Sequence, residues 1–365
     1  MNVAQAVGRA LAGAGIDHVF GVVGSGNFHV TGALVDGGAR FVAARGEGGA
    51  ATMADAHARM TGRVAALSVH QGCGLTNAMT GIAEAAKSRT PLLVLAAQAT
   101  VASSNFFVDQ DALARAVGAI PARITSAETA VDEALAALAT ALHQRRTVLL
   151  NLPLDVQALE APAHASASPP PLPPPPPPAA PDQPDVDRLV EALRAAQRPV
   201  FVAGRGARRS DCADAVAALA ARSGALLATS AVAKGLFHDH PWSLDVSGGF
   251  SCPTTASLIG DADLIVGWGC ALTMWTTRHG RLIAAGATVV QVDDTPDALG
   301  AQRELRFGVL GDVAETALAV LAGLGADEQV GYRTPEVRQQ IETSGSWREV
   351  PFDDTSTADH IDPRT

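Results

Sequence analysis

Hydrophobic and polar positions recur along this chain with two periods, and the switching between them predicts its elements in order. Val3, Val7 and Leu11 recur at helical spacing, and Gly13 and Gly15 end that run as a C-terminal cap does. Short apolar runs then predict strands over His18–Val23, Phe41–Ala44, Val64–Val69, Leu92–Ala96 and Thr147–Leu152. Between them, residues of high helix propensity predict helices from Glu47 to about Met60 and from Leu75 to Lys87. A helix over Val186–Ala195 and strands over Pro199–Ala203, Ala225–Thr229, Leu264–Gly267 and Thr288–Val292 repeat the arrangement. Short strands alternating with helices imply parallel sheets covered on both faces, so the fold class is α/β with two doubly wound parallel-sheet domains.

The pattern lapses twice. From Ala161 to Pro184 the chain is dominated by proline, with Pro169–Pro171 and the run Pro173–Pro178 broken by Leu172. Such a segment favours extended polyproline geometry and reads as a spacer. After about Gly325 periodicity fades again, and residues 331–365 are mostly polar. The expected organisation is a first domain at 1–160, a Pro-rich linker at 161–184, a Rossmann-like domain at 185–325 and a tail at 326–365.

Composition narrows the function classes. A chain of 365 residues with 47% apolar content has ample material for two cores, and a 4% aromatic share makes those cores aliphatic. The net charge of −10 argues against nucleic acid and anionic membrane surfaces as partners. No run approaches the roughly 18 apolar residues that span a bilayer, and the first residues lack the basic and apolar regions of a signal peptide. Cys73, Cys212, Cys252 and Cys270 are scattered without zinc-ligand spacing, which fits a reducing, cytoplasmic setting with no metal ligands in this sequence pattern.

The chemistry concentrates between Arg45 and Asn77. Glu47 sits in the glycine frame Arg45-Gly46-Glu47-Gly48-Gly49 directly after one predicted strand. The next strand ends in His70-Gln71-Gly72-Cys73-Gly74 before another helix. Two consecutive strand ends thus deliver a carboxylate, an imidazole and a glycine loop, at the place where open α/β sheets bind ligands. In the second half, Gly204-Arg205-Gly206 follows a strand but lacks the third glycine of a dinucleotide fingerprint.

These motifs resemble the thiamine-diphosphate-dependent decarboxylases and carboligases, the acetolactate synthase and benzoylformate decarboxylase group. The likeness is carried, in order, by Gly21-Val22-Val23-Gly24-Ser25, the Glu47 frame, Gly72-Cys73-Gly74-Leu75-Thr76-Asn77 and Ala85–Pro91 with Leu92–Leu95. Lys234-Gly235 and His240-Pro241 extend it into the second half. The resemblance implies a pyrimidine-binding domain followed by a central domain, with thiamine diphosphate as cofactor and a 2-oxo acid as substrate. It implies that Glu47 donates a proton to the cofactor's aminopyrimidine, a role that a carboxyl in an apolar pocket is suited to. Gly72, Gly74, Thr76 and Asn77 are expected to shape the loop against that ring. His70 is expected as a proton relay to substrate and Ser25 as a contact for the substrate carboxylate. Asn105–Asp111 resembles a segment that faces the substrate.

The same resemblance places Mg²⁺ in a diphosphate-binding domain marked by a Gly-Asp-Gly motif, which occurs nowhere in this sequence. Mg²⁺ is therefore expected through a domain outside this chain, either because the chain is a piece of a longer enzyme or because a separate diphosphate-binding subunit completes it. Gly248–Cys252 does not reproduce the flavin-binding pattern, so FAD is not expected. A homo-oligomer with its site between subunits is implied. The alternative is a catalytically silent regulatory or assembly subunit, against which the retained Glu47 stands.

Overall fold

The central strands are mostly apolar because both of their faces are buried, with polar exceptions such as Ser68, Gln98 and Asn151. A computed structural model describes residues 1–163, 169, 171–174, 176–177 and 179–365 and divides into two units, Met1–Pro176 and Pro177–Thr365. In the first unit, helix α1 (Val3–Gly13) precedes β1 (His18–Gly21), α2 (Phe28–Asp36), β2 (Arg40–Ala43), α3 (Glu47–Thr61) and β3 (Ala65–Val69). Then follow α4 (Cys73–Lys87), β4 (Leu92–Gln98), α5 (Gln110–Val117), β5 (Ile120–Arg123), α6 (Ala130–His143), β6 (Thr147–Pro153) and α7 (Leu154–Gln157).

The six strands are parallel, in the order β2-β1-β3-β4-β6-β5. Every residue of β3, β4 and β6 is buried. Their side chains alternate between two cores: Leu93 and Leu95 join the core with α1 and α6, while Leu92, Val94 and Ala96 join the core with α3 and α4. Chain order reverses between β1 and β3, and the register Gly21↔Ala43 and Gly21↔Ser68 brings the carboxyl ends of β1, β2 and β3 level. That reversal is the switch point at which doubly wound sheets open a crevice.

The second unit repeats the plan. It comprises α8 (Gln183–Ala195), β7 (Pro199–Ala203), α9 (Ser210–Ser223), β8 (Leu226–Thr229), β9 (Ser243–Val246) and α10 (Pro253–Gly260). These are followed by β10 (Leu264–Trp268), β11 (Thr288–Asp293), β12 (Phe307–Leu310), α11 (Val313–Leu324) and α12 (Pro335–Ser344). Its parallel order is β12-β11-β10-β7-β8-β9. Phe201, Ala203, Val266 and Trp268 pack with α8, α9 and α11, while Val200, Val202 and Ile265 face the opposite core.

Several boundaries differ from the sequence pattern. β1 ends at Gly21 rather than Val23, because the Val22 carbonyl accepts from Asn27 Nδ2 at 3.2 Å and leaves the ladder. α4 starts at Cys73, two residues before Leu75. A helix, α12, forms where periodicity fades, and packing continues to it: the buried Tyr332 donates its hydroxyl to the Leu258 carbonyl at 3.0 Å, and Val337 and Ile341 pack with the same core. The proline-rich stretch expected over 161–184 falls partly outside the described residues, at 164–168, 170, 175 and 178. Of the rest, Leu172 packs on the first core and donates its N–H to Ala14 O at 3.3 Å, while Pro184 sits in the first turn of α8, where a missing N–H costs no helical bond.

Candidate active site at the switch point of the first sheet

Glu47 is the first residue of α3, reached through Gly46, whose extended backbone turns the chain off β2. No side chain caps this helix start, and Glu47 is the acidic residue of its first turn, where the helix dipole favours a negative charge. Asn77, one turn into α4, donates Nδ2 to Glu47 Oε2 at 2.6 Å. The two residues are 30 apart in sequence and meet because α3 and α4 pack tightly; a methyl on Gly81 would stand 2.5 Å from Ala51 Cβ. Glu47 Oε1 lies 3.4 Å from where a Cβ on Gly74 would be, and that same Cβ would come within 3.0 Å of His70 Cβ. The missing side chain at Gly74 therefore leaves a recess between Glu47 and His70.

His70 ends β3. Its Nδ1 lies 3.0 Å from the Gln71 carbonyl oxygen, which can only accept, so the network assigns the hydrogen to Nδ1. Nε2 is then an acceptor, and the Ser25 hydroxyl stands 3.4 Å from it. Phe106 meets the imidazole edge-on with ring centroids 5.2 Å apart. Gly72 is the joint that permits this approach. Its φ of +63° lies in the left-handed region, and a Cβ there would stand 2.5 Å from the Phe106 carbonyl oxygen.

Ser25 is presented by a turn that the buried Asn27 holds. Asn27 Oδ1 accepts from Gly24 N at 2.8 Å, and its Nδ2 donates to Ser68 Oγ at 3.0 Å as well as to Val22 O. Thr31 closes the network with Ser68 at 2.7 Å.

The structure thus gathers Ser25, Glu47, His70, Gly72, Gly74 and Asn77 at the ends of β1, β2 and β3. Thr76 is set apart: its hydroxyl donates back to the Cys73 carbonyl at 3.2 Å within the helix. Cys73 is exposed and unbridged. The expected Asn105–Asp111 segment divides. Phe106 turns to His70, whereas the buried Gln110 donates to Asn151 Oδ1 at 2.6 Å, and Asp111 takes Asn151 Nδ2 at 2.6 Å and Arg123 at 3.1 Å. Asn27 and Phe106 were not singled out by motif spacing; the buried turn and the unusual backbone of Gly72 disclose them.

In the second unit, Gly204 and Gly206 are both required by close backbone approach. A Cβ on Gly204 would lie 2.3 Å from Gly269 O, and one on Gly206 2.8 Å from Gly269 Cα. Their N–H groups donate to Trp268 O and Gly269 O at 2.9 and 3.0 Å. This turn is filled by the chain's own backbone. Lys234 lies 3.8 Å from Asp245, with both side chains largely exposed.

Comparison with known proteins matches residues 1–114 to the N-terminal TPP binding domain of the thiamine pyrophosphate enzymes and residues 186–321 to their central domain. The chain is 27% identical over 359 residues to a sulfoacetaldehyde acetyltransferase of Rhodobacter capsulatus, covering 95% of this chain and 59% of that protein. It is 31% identical over 333 residues to a probable 2-ketoarginine decarboxylase of Pseudomonas aeruginosa, covering 89% of this chain and 58% of the relative. A putative acetolactate synthase large subunit of Mycobacterium tuberculosis is 30% identical over 266 residues, 68% of this chain and 48% of the relative. The chain spans about half to three fifths of the length of these relatives.

Proposed function

This chain belongs to the thiamine pyrophosphate enzymes, and from that premise we propose that it takes part in thiamine-diphosphate-dependent decarboxylation or carboligation of a 2-oxo acid. The observation that carries the reading is the Glu47–Asn77 pair beside the recess at Gly74. A carboxyl group there fits an aminopyrimidine ring, because it can exchange a proton with a ring nitrogen and the missing side chain at Gly74 admits a flat ring. When bound, thiamine diphosphate supplies a carbon acid and an electron sink for the 2-oxo acid carbonyl.

The chain's own residues would act around it as follows. Asn77 engages Oε2 and fixes the rotation of the Glu47 carboxyl, so that Oε1 faces the recess and holds or gives the proton at the ring nitrogen. His70 presents Nε2 toward Ser25, with Nδ1–H anchored on Gln71 O, and so takes or returns a proton at the substrate's oxygen. Ser25 offers its hydroxyl to the substrate carboxylate, and Phe106 keeps water from one side of the imidazole. We assign the diphosphate and Mg²⁺ to residues other than those gathered here, because Mg²⁺ takes oxygen ligands and the crevice offers Glu47 to the ring instead. It also places the site in a homo-oligomer, supported by the exposed Phe28, Phe106 and Phe107 around the strand ends. None of the helices among the described residues is long and apolar enough to cross a membrane.

The test is Glu47→Gln in the complete cofactor-loaded enzyme, assayed for CO₂ release or 2-hydroxyketone formation on aliphatic and aromatic 2-oxo acids. Turnover should fall by on the order of 10²–10⁴-fold, the size of a general acid–base contribution. Unchanged turnover sinks the assignment.

A further inference from the structure

A second cluster lies at the opposite, amino end of β1. His18 is the first residue of that strand, Asp17 precedes it, and His57 faces it from α3. The two imidazole rings are 4.5 Å apart between centroids and inclined by 35°, and the His57 ring also rests on Phe20, two residues along the same face of β1. Asp17 Oδ1, His18 Nδ1 and His57 Nε2 are each out of contact with solvent, and none has a hydrogen-bond partner. Asp17 Oδ1 and His18 Nδ1 stand 3.1 Å apart, but not in hydrogen-bonding geometry. One ligand atom from each of the three residues lies within 4.8 Å of the others.

Three unsatisfied buried polar atoms aimed at one another are a costly arrangement for a fold to keep. A cation placed among them satisfies all three at once. From this we propose that Asp17, His18 and His57 form a site for a divalent transition-metal ion of the Zn²⁺ type, distinct from the switch-point crevice. Two imidazoles and one carboxylate are the donor set that such ions favour, whereas Mg²⁺ prefers oxygen alone. Tetrahedral ligation at about 2.0–2.1 Å sets ligand atoms about 3.3 Å apart, so modest side-chain rotation closes the observed spacing. Water would complete the shell.

The electrostatics are compatible with this. Arg63 pairs with Asp17 Oδ2, which orients the carboxylate and leaves Oδ1 facing the histidines. The bound ion would tie β1 to α3 about 15 Å along the helix from Glu47, since ten residues separate His57 from that end. It would act as a staple behind the crevice.

The test uses the untagged, metal-stripped full chain titrated calorimetrically with Zn²⁺. One equivalent should bind, and His18→Gln and His57→Gln should each weaken binding at least tenfold, while His143→Gln leaves it unchanged. Co²⁺ bound to the wild type should show visible d–d bands of a nitrogen and oxygen set, without a thiolate charge-transfer band. That spectrum decides the matter if a variant fails to fold. Wild-type affinity retained in both His18→Gln and His57→Gln, no saturable binding by the wild type, or a thiolate band would overturn the proposal. None of these outcomes depends on 2-oxo acid turnover.

Discussion

At the scale of single residues, the site depends on a few positions whose backbone or packing is unusual. Gly72 combines a positive φ with a backbone approach that no side chain fits, and it joins β3 to α4 while letting Phe106 reach His70. Gly72→Ala should therefore destabilise the first unit by about 1–3 kcal/mol, the usual cost of a strained backbone position. Thermal or denaturant unfolding of the variant checks this; an unchanged midpoint would mean that the 104–107 segment yields freely. The Glu47–Asn77 contact is of another kind. Each residue was legible from its motif, but the hydrogen bond between them follows from the tight α3–α4 packing at Gly81 and Ala51.

At the scale of elements, legibility followed burial. Strands β3, β4 and β6 are buried throughout and stand out as apolar runs. The edge strand β5 is four half-buried residues including Pro121, and its composition resembles a loop. β9 is short and irregular, with a register shift opposite Leu227–Thr229 and a positive φ at Asp245. Its approach is held by His240, whose Nδ1 accepts from Trp242 N at 3.2 Å, while Trp242 O accepts from Leu227 N at 3.1 Å. Burial, then the Arg333 and Arg338 charges, lowers the His240 pKa in the folded chain. The unfolded chain therefore binds this proton more readily, so the stabilisation is present above about pH 6.5 and is lost as pH falls through the folded value. Stability of the wild type should decline on mild acidification, and His240→Gln should show a flatter dependence; parallel profiles from denaturant titrations at several pH values would refute the assignment to this residue.

At the scale of the whole chain, each unit has its own sheet with a core on either face, and no core draws on the strands of both units. Residues 1–176 and 177–365, expressed separately, should each fold and show a cooperative unfolding transition. Calorimetry of the two fragments checks this, and a fragment without a transition would show that its unit needs the other.

The buried strands and the helices that follow the Glu47 frame and the Gly72 loop, the α/β class and the motif residues Ser25, Glu47, His70 and Gly72 were legible in the sequence itself, because local periodicity and glycine placement are written along the chain. The tertiary structure alone decided which of these residues meet. Strand order set the switch point, and parallel register brought three strand ends level. Packing of α3 on α4 joined Asn77 to Glu47, and packing of α3 on β1 set His57 against His18, 39 positions earlier, where no spacing rule would have looked. Contacts between distant segments depend on how layers stack, and a one-dimensional pattern records only which faces are to be covered.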